Sequence, residues 1–453
     1  MINSSNEHYL TNLWRYKDAI IAESLHWGLV KNSSQTLFVN PIESFIHFLL
    51  YILHHQWDSF CIHLLLRDKL VLLRMKIGIV CYPTFGGSGV VATELGKALA
   101  KNGHQIHFIT YQQPPRLDFF NENVFYHEVN IPSYPLFQYA PYESALASEM
   151  VNVVQNENVD LLHVHYAIPH ASAAYMAKMI LRSQGRVVPV VTTLHGTDIT
   201  LVGKDASYEP VVTFSINESD GVTSVSEDLR QDTYKHFKVH REIEVIPNFI
   251  DLDRFKRQQK EHFKKAICPN GEKLIVHTSN FRRVKRIDDA VMAFYHIQQG
   301  IPAKLLLVGD GPERARIERL VRDLGIYDQV RFLGKLDQVE EVLSVADLFI
   351  MPSENESFGL AALEAMACEV PLITSNAGGL PELNLHGITG FLSPVGDVED
   401  MVRNALYILD DNHLPTFKQN ALARAKEFEL SRILPRYEAY YERVLQEVKP
   451  LVS

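Results

Sequence analysis

Two stretches of this chain share one pattern, in which short apolar runs alternate with longer amphipathic segments. The strands predicted in the first stretch are residues 77–81, 107–110, 161–165, 188–193 and 221–224, and those in the second are 273–278, 303–308, 330–332, 348–351 and 371–374. In the first stretch, the helices predicted between them include residues 90–101, 141–157 and 171–183. Such alternation is typical of βαβ units and a parallel sheet. The pattern predicts an α/β fold of two doubly wound, Rossmann-like domains that face each other across a cleft.

Residues 75–245 are expected to form the first domain and residues 246–425 the second, with the junction where Ile246-Pro247-Asn248 leads into a basic, polar stretch. Residues 426–453 contain a last helix, predicted at 430–448, whose apolar stripe suggests that it crosses back to the first domain. Ligands of open parallel sheets bind at the carboxyl ends of the strands. The cleft between the domains is therefore the predicted site.

Residues 1–74 differ from the rest of the chain. Their apolar part, residues 42–73, is interrupted by polar side chains such as His54, Asp58 and Arg67, and no apolar run approaches the ~20 residues that span a bilayer. The basic start and cleavage site of a signal peptide are also missing. We expect an extension outside the two-domain fold, with Met75 as the natural start and no stable membrane association. A membrane-associating helical hairpin is the alternative.

Net charge and cysteine content narrow the class of protein to which the chain can belong. The net charge of −10 argues against general nucleic-acid binding, which favours a basic surface. The four cysteines are widely separated, at Cys61, Cys81, Cys268 and Cys368. Neither a disulfide framework nor a metal site is indicated by that spacing, and a cytoplasmic location is expected. His163 and His165 lack an acidic or Cys partner at metal spacing, so no metal is predicted there either.

Glu356 and Glu364 stand eight residues apart, after a predicted buried strand. Glu356 falls on the loop after the strand and Glu364 inside the next helix, whose N-terminus is formed by Ser357, Phe358, Gly359 and Leu360. Free N–H groups at a helix N-terminus attract anions, and carboxylates accept hydroxyl hydrogens. This combination suits a sugar joined to a diphosphate, as in a nucleotide sugar. Two ordinary solvated glutamates are the alternative.

Two loops of the first stretch also carry candidate ligand groups. Gly86-Gly87-Ser88-Gly89 follows the first strand, where glycines let the backbone approach an anion, although the spacing is not that of the dinucleotide fingerprint. His195, in Leu194-His195-Gly196-Thr197-Asp198, follows another strand and is placed to face the cleft. A core histidine with local hydrogen bonds is the alternative for His195.

The second stretch carries a basic loop after its first strand, Asn280-Phe281-Arg282-Arg283-Val284-Lys285-Arg286. Four cations at the end of a strand can neutralise a diphosphate, since arginine offers forked hydrogen bonds and lysine a compact charge. A solvated basic loop without a ligand is the alternative.

In their order along the chain these segments, with Ile246-Pro247-Asn248, Val308-Gly309-Asp310-Gly311-Pro312 and Phe332-Leu333-Gly334, resemble the retaining glycosyltransferases of family 4, which have the GT-B fold. The resemblance covers Met75 to about Val448. Within the family, residues 81–89, 163–170, 193–198 and 279–286 look most like members that join GlcNAc from UDP-GlcNAc to the hydroxyl of L-malate with retention, the first step of bacillithiol biosynthesis.

The resemblance implies a UDP-GlcNAc-dependent hexosyltransferase with L-malate as acceptor and no cofactor. Family members with a lipid, inositol phosphate or polysaccharide acceptor remain an alternative, as do a nucleotide-sugar epimerase and an inactive binding protein. No Asp-x-Asp motif lies between a strand and a loop, so metal independence is expected. The sequence leaves open whether the chain forms a homo-oligomer.

The resemblance also implies roles for individual residues. The catalytic residues would be His195, Arg282, Lys285 and Glu356. The donor-binding residues would be Gly87, Ser88, Asn280, Leu333, Gly334, Phe358, Gly359, Leu360 and Glu364. The acceptor-binding residues would be Ser88, Gly89, Tyr166 and Thr193. Many family members carry Gly-Arg where this chain has Ser279-Asn280, so the arginine role is expected to shift to Arg282.

Overall fold

The computed structural model describes residues 74–448, apart from 85, 118–121, 132–138, 202, 204 and 259. The predictions made for the N-terminal extension fall on residues 1–73 and lie outside the described part. Within the described residues, no helix is long and apolar enough to cross a membrane.

The first domain is built on a parallel sheet of seven strands, in the order β3-β2-β1-β4-β5-β6-β7. The strands are β1 (Lys76–Val80), β2 (Gln105–Thr110), β3 (Val124–Glu128), β4 (Leu161–His165), β5 (Val190–Leu194), β6 (Gly221–Ser224) and β7 (Ile243–Val245). The helices are α1 (Ser88–Lys101), α2 (Tyr142–Glu157), α3 (Ser172–Ser183), α4 (Glu209–Glu218) and α5 (Glu227–His236), with π-helical turns at Ala167–Ala171 and Thr197–Leu201.

The second domain is built on a parallel sheet of six strands, in the order β10-β9-β8-β11-β12-β13. The strands are β8 (Lys273–Thr278), β9 (Ala303–Val308), β10 (Val330–Gly334), β11 (Leu348–Met351), β12 (Leu372–Ser375) and β13 (Gly390–Ser393). The helices are α6 (Glu261–Ile267), α7 (Ile287–Gly300), α8 (Arg314–Asp323), α9 (Val339–Leu343), α10 (Leu360–Ala367), α11 (Leu380–Leu383), α12 (Val398–Leu409) and α13 (Leu414–Ala425), with 3₁₀ turns at Arg283–Lys285, Tyr327–Gln329 and Lys426–Phe428.

The prediction of two doubly wound α/β domains is confirmed, and the predicted strands match observed strands to within two residues at each end. The sequence analysis missed β3, β7 and β13, which all lie at an edge of their sheet. An edge strand is covered on fewer sides than a central strand, so it needs no continuous apolar run. The β3 sequence Val-Phe-Tyr-His-Glu accordingly occupies only half-buried and exposed positions.

Strand order determines which loops meet in the cleft. In each sheet the direction of winding reverses between two central strands, β1 and β4 in the first and β8 and β11 in the second. The loops that follow such a pair diverge to opposite faces and leave a crevice between them. The topology therefore brings the loop after β1 beside the loop after β4, and the loop after β8 beside the loop after β11.

The last helix, α14 (Leu430–Glu447), packs against the first domain rather than the second. Its buried side chains include Tyr437 and Tyr441, which share one apolar cluster with Ile77 and Leu99. The Tyr441 hydroxyl also lies 2.8 Å from Nδ1 of His163 on β4. Burying a large side chain contributes on the order of 1.5–3 kcal/mol, so these contacts fasten the end of the chain to the first domain.

Candidate active site

Lys285 and Glu356 meet in the second domain. Lys285 follows β8 and Glu356 follows β11, which are hydrogen-bonded neighbours. The Lys285 ammonium donates to Glu356 Oε1 at 2.5 Å, and the Ser353 hydroxyl donates to the same oxygen at 2.9 Å. The Glu356 main chain is held as well, because its carbonyl accepts from the Gly379 N–H at 2.8 Å. A cation and an oriented carboxylate thus stand side by side at the carboxyl edge of the second sheet.

Helix α10 begins at Leu360 with Gly359 as its N-cap, at φ +94°. No side chain caps this end, so N–H groups at the start of the helix are available as hydrogen-bond donors to a ligand. Glu364 lies in the second turn and is 7% exposed. Burial raises the pKa of Glu364 to about 7, although Arg116 and Arg254 oppose the increase. The helix therefore presents donors at its end and a poorly solvated carboxyl group on its side.

Ser88 and Tyr166 meet in the first domain. Ser88 begins α1 after β1, Tyr166 follows β4, and the Ser88 hydroxyl donates to the Tyr166 hydroxyl at 2.8 Å. Tyr166 has φ +88°, a conformation that is costly for a residue with a side chain and is found mainly at functional positions. Burial raises the pKa of Tyr166 to about 12, so its hydroxyl keeps its proton at neutral pH.

His195 follows β5 and lies against the same pair. Its ring centre is 5.3 Å from that of Tyr166, and its Nε2 is 2.7 Å from Nδ1 of His165 on β4. Burial lowers the pKa of His195 to about 3 and that of His165 well below its usual value. Both rings are therefore neutral at physiological pH. His195 can act as a hydrogen-bond partner there, and it carries no charge.

Asp198 ties the loop after β5 to the loop after β4. It is 2% exposed, and its two oxygens accept from the N–H groups of Gly196 at 3.0 Å and Ala167 at 2.8 Å. Burial raises the pKa of Asp198 to about 6, against the effect of these N–H donors. The carboxyl group thus fixes the backbone on both sides of the His195–Tyr166 contact.

The two domains touch at this point. A β-carbon on Gly196 would lie 1.6 Å from the Ser357 hydroxyl oxygen, so the first-domain loop approaches the loop before α10 closely. A second contact lies nearby, where the Glu382 carboxylate on α11 accepts from the N–H groups of Glu227 at 2.9 Å and Asp228 at 2.8 Å. An acidic side chain from the second domain thereby caps α5 of the first, as the helix dipole favours.

Several predicted residues are therefore linked by contacts, Ser88 with Tyr166 and Tyr166 with His195 in the first domain, and Lys285 with Glu356 in the second. The Gly196–Ser357 approach brings the neighbours of His195 and Glu356 together. Thr193 is not among them. It is fully buried, and its hydroxyl lies 2.7 Å from His163 Nε2 and 2.7 Å from the Thr223 hydroxyl. Its side chain faces the interior below the cleft, where it can support His163 but cannot reach an acceptor.

Phe358 and Leu360 could face a ligand only through their backbone. The Phe358 side chain is 3% exposed and packs edge-on against Phe428 at 5.6 Å. Leu360 packs against the first-domain apolar cluster that includes α14. The Leu360 side chain therefore joins the domains and the Phe358 side chain packs inside the second, while their N–H groups remain near the helix start.

The remaining predicted donor residues lie on the expected loops. Leu333 and Gly334 end β10, with Gly334 at φ +70°. In the loop after β8, the Arg282 N–H donates to the Asn280 carbonyl at 2.7 Å, and the Arg282 side chain is exposed. In the first domain, Gly87 is the N-cap of α1 at φ +60°, with open space where a side chain would be.

Gly89 in the first turn of α1 has no such space, since a β-carbon there would lie 2.4 Å from the Tyr82 carbonyl oxygen. A glycine is therefore required at this position for packing alone. The contact of Gly89 with an acceptor stays a prediction.

The sequence analysis missed two arginines that face Glu364. Arg116 lies in the loop after β2, with its Nη2 3.9 Å from Glu364 Oε1, and Arg254 lies in the segment between the sheets. The signal for Arg116 was a single cation after Gln112-Gln113-Pro114-Pro115, in a loop at the carboxyl end of a strand. In the described part of the chain, no group of three or more His, Cys, Asp or Glu residues is arranged to hold a metal ion.

Comparison with known proteins gives a consistent result. Residues 85–254 match the family model for glycosyltransferase family 4, and residues 258–426 match that for glycosyl transferases group 1. N-acetyl-alpha-D-glucosaminyl L-malate synthase of Bacillus anthracis is 48% identical over 384 residues, which are 83% of this chain and 99% of that protein.

Solved structures share the fold at lower identity. Sucrose-phosphate synthase from Thermosynechococcus elongatus superposes with a TM-score of 0.70 at 22% identity, and Anabaena HepE in complex with UDP and glucose with 0.69 at 21%. Each comparison covers 83% of this chain and 100% of the other.

Proposed function

The chain belongs to glycosyltransferase family 4, and on this basis we propose that it transfers N-acetylglucosamine from UDP-GlcNAc to the hydroxyl of L-malate with retention at the anomeric carbon. The observation that carries this proposal is the 48% identity to an N-acetylglucosaminyl L-malate synthase over 99% of that protein. The reaction is the first step of bacillithiol biosynthesis. Lipid, inositol phosphate and polysaccharide acceptors are not favoured by these findings.

The diphosphate of the donor binds between the basic loop after β8 and the start of α10. Lys285 and Arg282 supply positive charge, and the uncapped N–H groups of α10 supply hydrogen bonds. Negative charge grows on the diphosphate as the bond to the sugar breaks. Groups already arranged to stabilise that charge lower the barrier, and removing one such donor typically costs roughly a hundred- to thousandfold in rate.

Retention follows from the side on which the acceptor approaches. The bond between the anomeric carbon and the diphosphate oxygen breaks, and the malate hydroxyl oxygen forms its new bond on the same face of the sugar. The hydroxyl proton passes to an oxygen of the departing diphosphate. No base on the opposite face is required. The protein contributes by positioning the two substrates and stabilising charge.

Glu356 and His195 bind the GlcNAc sugar. The Glu356 carboxylate, oriented by Ser353 and Lys285, accepts from the outer hydroxyls of the ring. His195 is neutral and lies beside the primary hydroxyl near the reacting carbon. Glu364 accepts the hydroxyl hydrogens of the ribose, and the Leu333–Gly334 backbone contacts uracil.

L-Malate binds in the first domain beside Ser88 and Tyr166. The Tyr166 hydroxyl keeps its proton at neutral pH and can donate it to a carboxylate, while Ser88 donates to the Tyr166 oxygen and holds that hydroxyl in place. The backbone at Gly89, in the first turn of α1, completes the acceptor site. We propose further that the reaction needs neither a metal ion nor a cofactor, and that it takes place in the cytoplasm.

The test is UDP release from UDP-GlcNAc by the full chain, with and without L-malate and with and without EDTA. Malate-dependent release that persists in EDTA supports the donor, the acceptor and metal independence together, and the NMR coupling of the anomeric proton in the product reports retention. Lactate, which lacks the second carboxylate, serves as the acceptor control. UDP binding without malate-dependent release would overturn the acceptor assignment and leave the family membership intact.

A further inference from the structure

A charged cluster joins the two domains beside Glu364. It consists of Glu94 on α1, Arg116 after β2, Arg254 between the sheets, Glu340 on α9 and Glu364 on α10. Arg116 Nη1 lies 4.0 Å from Glu94 Oε1, and Arg116 Nη2 lies 3.9 Å from Glu364 Oε1. The Arg116 guanidinium therefore bridges a carboxylate of the first domain and one of the second.

Arg116 is firmly held in this position. Its carbonyl accepts from the Lys97 ammonium at 3.0 Å, and its side chain is 18% exposed. Its guanidinium lies 6.0 Å from the centre of the buried Phe255 ring. The residue adopts φ +65°, which an arginine rarely does. Both the backbone and the guanidinium of Arg116 therefore have fixed neighbours beside Glu364.

The charges around Glu364 show that Arg116 favours the ionised form of its carboxyl group. The other cation, Arg254, is committed to Glu340 through Nε at 3.0 Å and reaches Glu94 at 3.7 Å. Without Arg116, the buried Glu364 would face the carboxylates of Glu94 and Glu340 with only one arginine nearby. Like charges and burial both favour the protonated form of a carboxyl group.

The 3.9 Å separation matters because it is too long for a hydrogen bond. Arg116 stabilises the ionised carboxylate through charge without using one of its acceptor positions. An ionised carboxylate can accept two hydrogen bonds from the two neighbouring hydroxyls of a ribose, whereas its protonated form loses acceptor capacity.

We propose that Arg116 is a positioning residue for the donor, acting from the first domain to favour the ionised form of Glu364 so that this carboxylate can bind the ribose hydroxyls of a uridine nucleotide. The inference rests on the proposed function, because it assumes that Glu364 holds the ribose. It adds a first-domain residue to a donor site that the motifs place in the second domain. It also makes donor binding depend on the domains being together.

The test compares UDP with 2′-deoxy-UDP, which lacks one hydroxyl but has the same phosphates and base. In the Arg116→Met variant of the full chain, UDP should bind ~5-fold more weakly at pH 7, because raising the pKa of Glu364 from about 7 by about one unit lowers its ionised fraction from about one half to about one tenth. Binding of 2′-deoxy-UDP should change little. Since Glu364 is largely ionised in both proteins at pH 9, the loss of UDP affinity should shrink there to about 1.1-fold. The charged groups that contribute to this dependence of UDP affinity on pH are Arg116, Arg254, Glu94 and Glu340. The Cys368 thiol also lies near Glu364.

Three further variants complete the experiment. Arg116→Lys retains the charge and should bind UDP within about 3-fold of the natural chain. In a Glu364→Gln background, Arg116→Met should cause no additional loss, because there is no carboxylate left to ionise. Arg186→Met is the control for net charge, since Arg186 lies at the amino ends of β4 and β5, away from the cleft, and donates to the Val159 carbonyl at 3.0 Å.

Equal weakening of UDP and 2′-deoxy-UDP would overturn the proposal, as would a loss that persists at pH 9 or in the Glu364→Gln background. Should Arg116→Met fail to fold, Arg116→Gln carries the same test. Failure of the proposed function would look different, because a chain that binds no uridine nucleotide at all would show it before any substitution is made.

Discussion

Gly196 of the first domain and Ser357 of the second approach so closely that a β-carbon on Gly196 would lie 1.6 Å from the Ser357 hydroxyl oxygen. Gly196 also has φ +112°, a conformation that side chains rarely adopt. Substitution by alanine should hold the domains apart, and misplacement by about 1 Å can cost roughly 100-fold in rate. We expect kcat/KM of Gly196→Ala to fall at least ~100-fold, as measured by UDP release.

Gly185 provides the matched control for that experiment. It has φ +82° and open space at its β-carbon position. Gly185→Ala therefore introduces similar backbone strain without a clash between domains, and its kcat/KM should stay near that of the natural chain. Equal losses in the two variants would show that strain, rather than the domain contact, causes the effect.

The basic loop after β8 gives a second prediction. Lys285→Ala should lower kcat by roughly 100- to 1,000-fold, because the variant loses charge that stabilises the leaving diphosphate. Arg282→Ala should cause a loss of the same order if the arginine role has shifted to this position. Arg283→Ala is the control, since Arg283 is an exposed cation of the same loop. A larger loss for Arg283 than for Arg282 would assign the role to Arg283.

Buried histidines predict loss of stability in acid. Burial lowers the pKa values of His163 and His195 to about 3 and those of His107, His170 and His277 to about 4. In the unfolded chain these groups take up protons near pH 6.5, whereas the folded chain resists protonation. The unfolded state thus binds more protons than the folded state below pH 6.5. The free energy of unfolding therefore decreases as the pH is lowered from about 6.5 to about 3–4.

The measurement is the free energy of unfolding in denaturant between pH 7 and 4.5. His163→Gln should reduce the slope against pH by about one proton, because one titrating group is removed from the unfolded state. His240→Gln, an exposed histidine, should leave the slope unchanged. An unaltered slope in His163→Gln would mean that His163 is protonated in the folded protein.

Tyr441 gives the last prediction. Its hydroxyl lies 2.8 Å from His163 Nδ1 inside the first domain. Tyr441→Phe leaves this buried nitrogen without its partner, which typically costs about 1–3 kcal/mol of stability. Tyr139→Phe is the control, because Tyr139 is 81% exposed and its hydroxyl is solvated. Equal stability of the two variants in denaturant unfolding would contradict a role for the hydrogen bond.

Local sequence predicted much of the fold. Central strands such as Leu161–His165 and Leu348–Met351 are covered on both faces, so each is a short and largely apolar run that can be recognised without its partners. The loops that follow them carry Tyr166 and Glu356, and the place of each loop follows from the strand before it. Edge strands such as Val124–Glu128 were not predicted from the sequence, because their residues are only partly covered and form no apolar run.

The ordered motifs by themselves determined the fold class, the family and the loops that carry candidate residues, because these depend on patterns within short segments. Only the tertiary structure decided how those segments meet. It buried Thr193 beneath the cleft, paired Lys285 with Glu356, and brought Arg116 to Glu364 from 248 positions earlier in the chain. Charge pairs and close contacts act through space over a few ångströms, so the residues next to each partner in the sequence do not indicate that the two will meet.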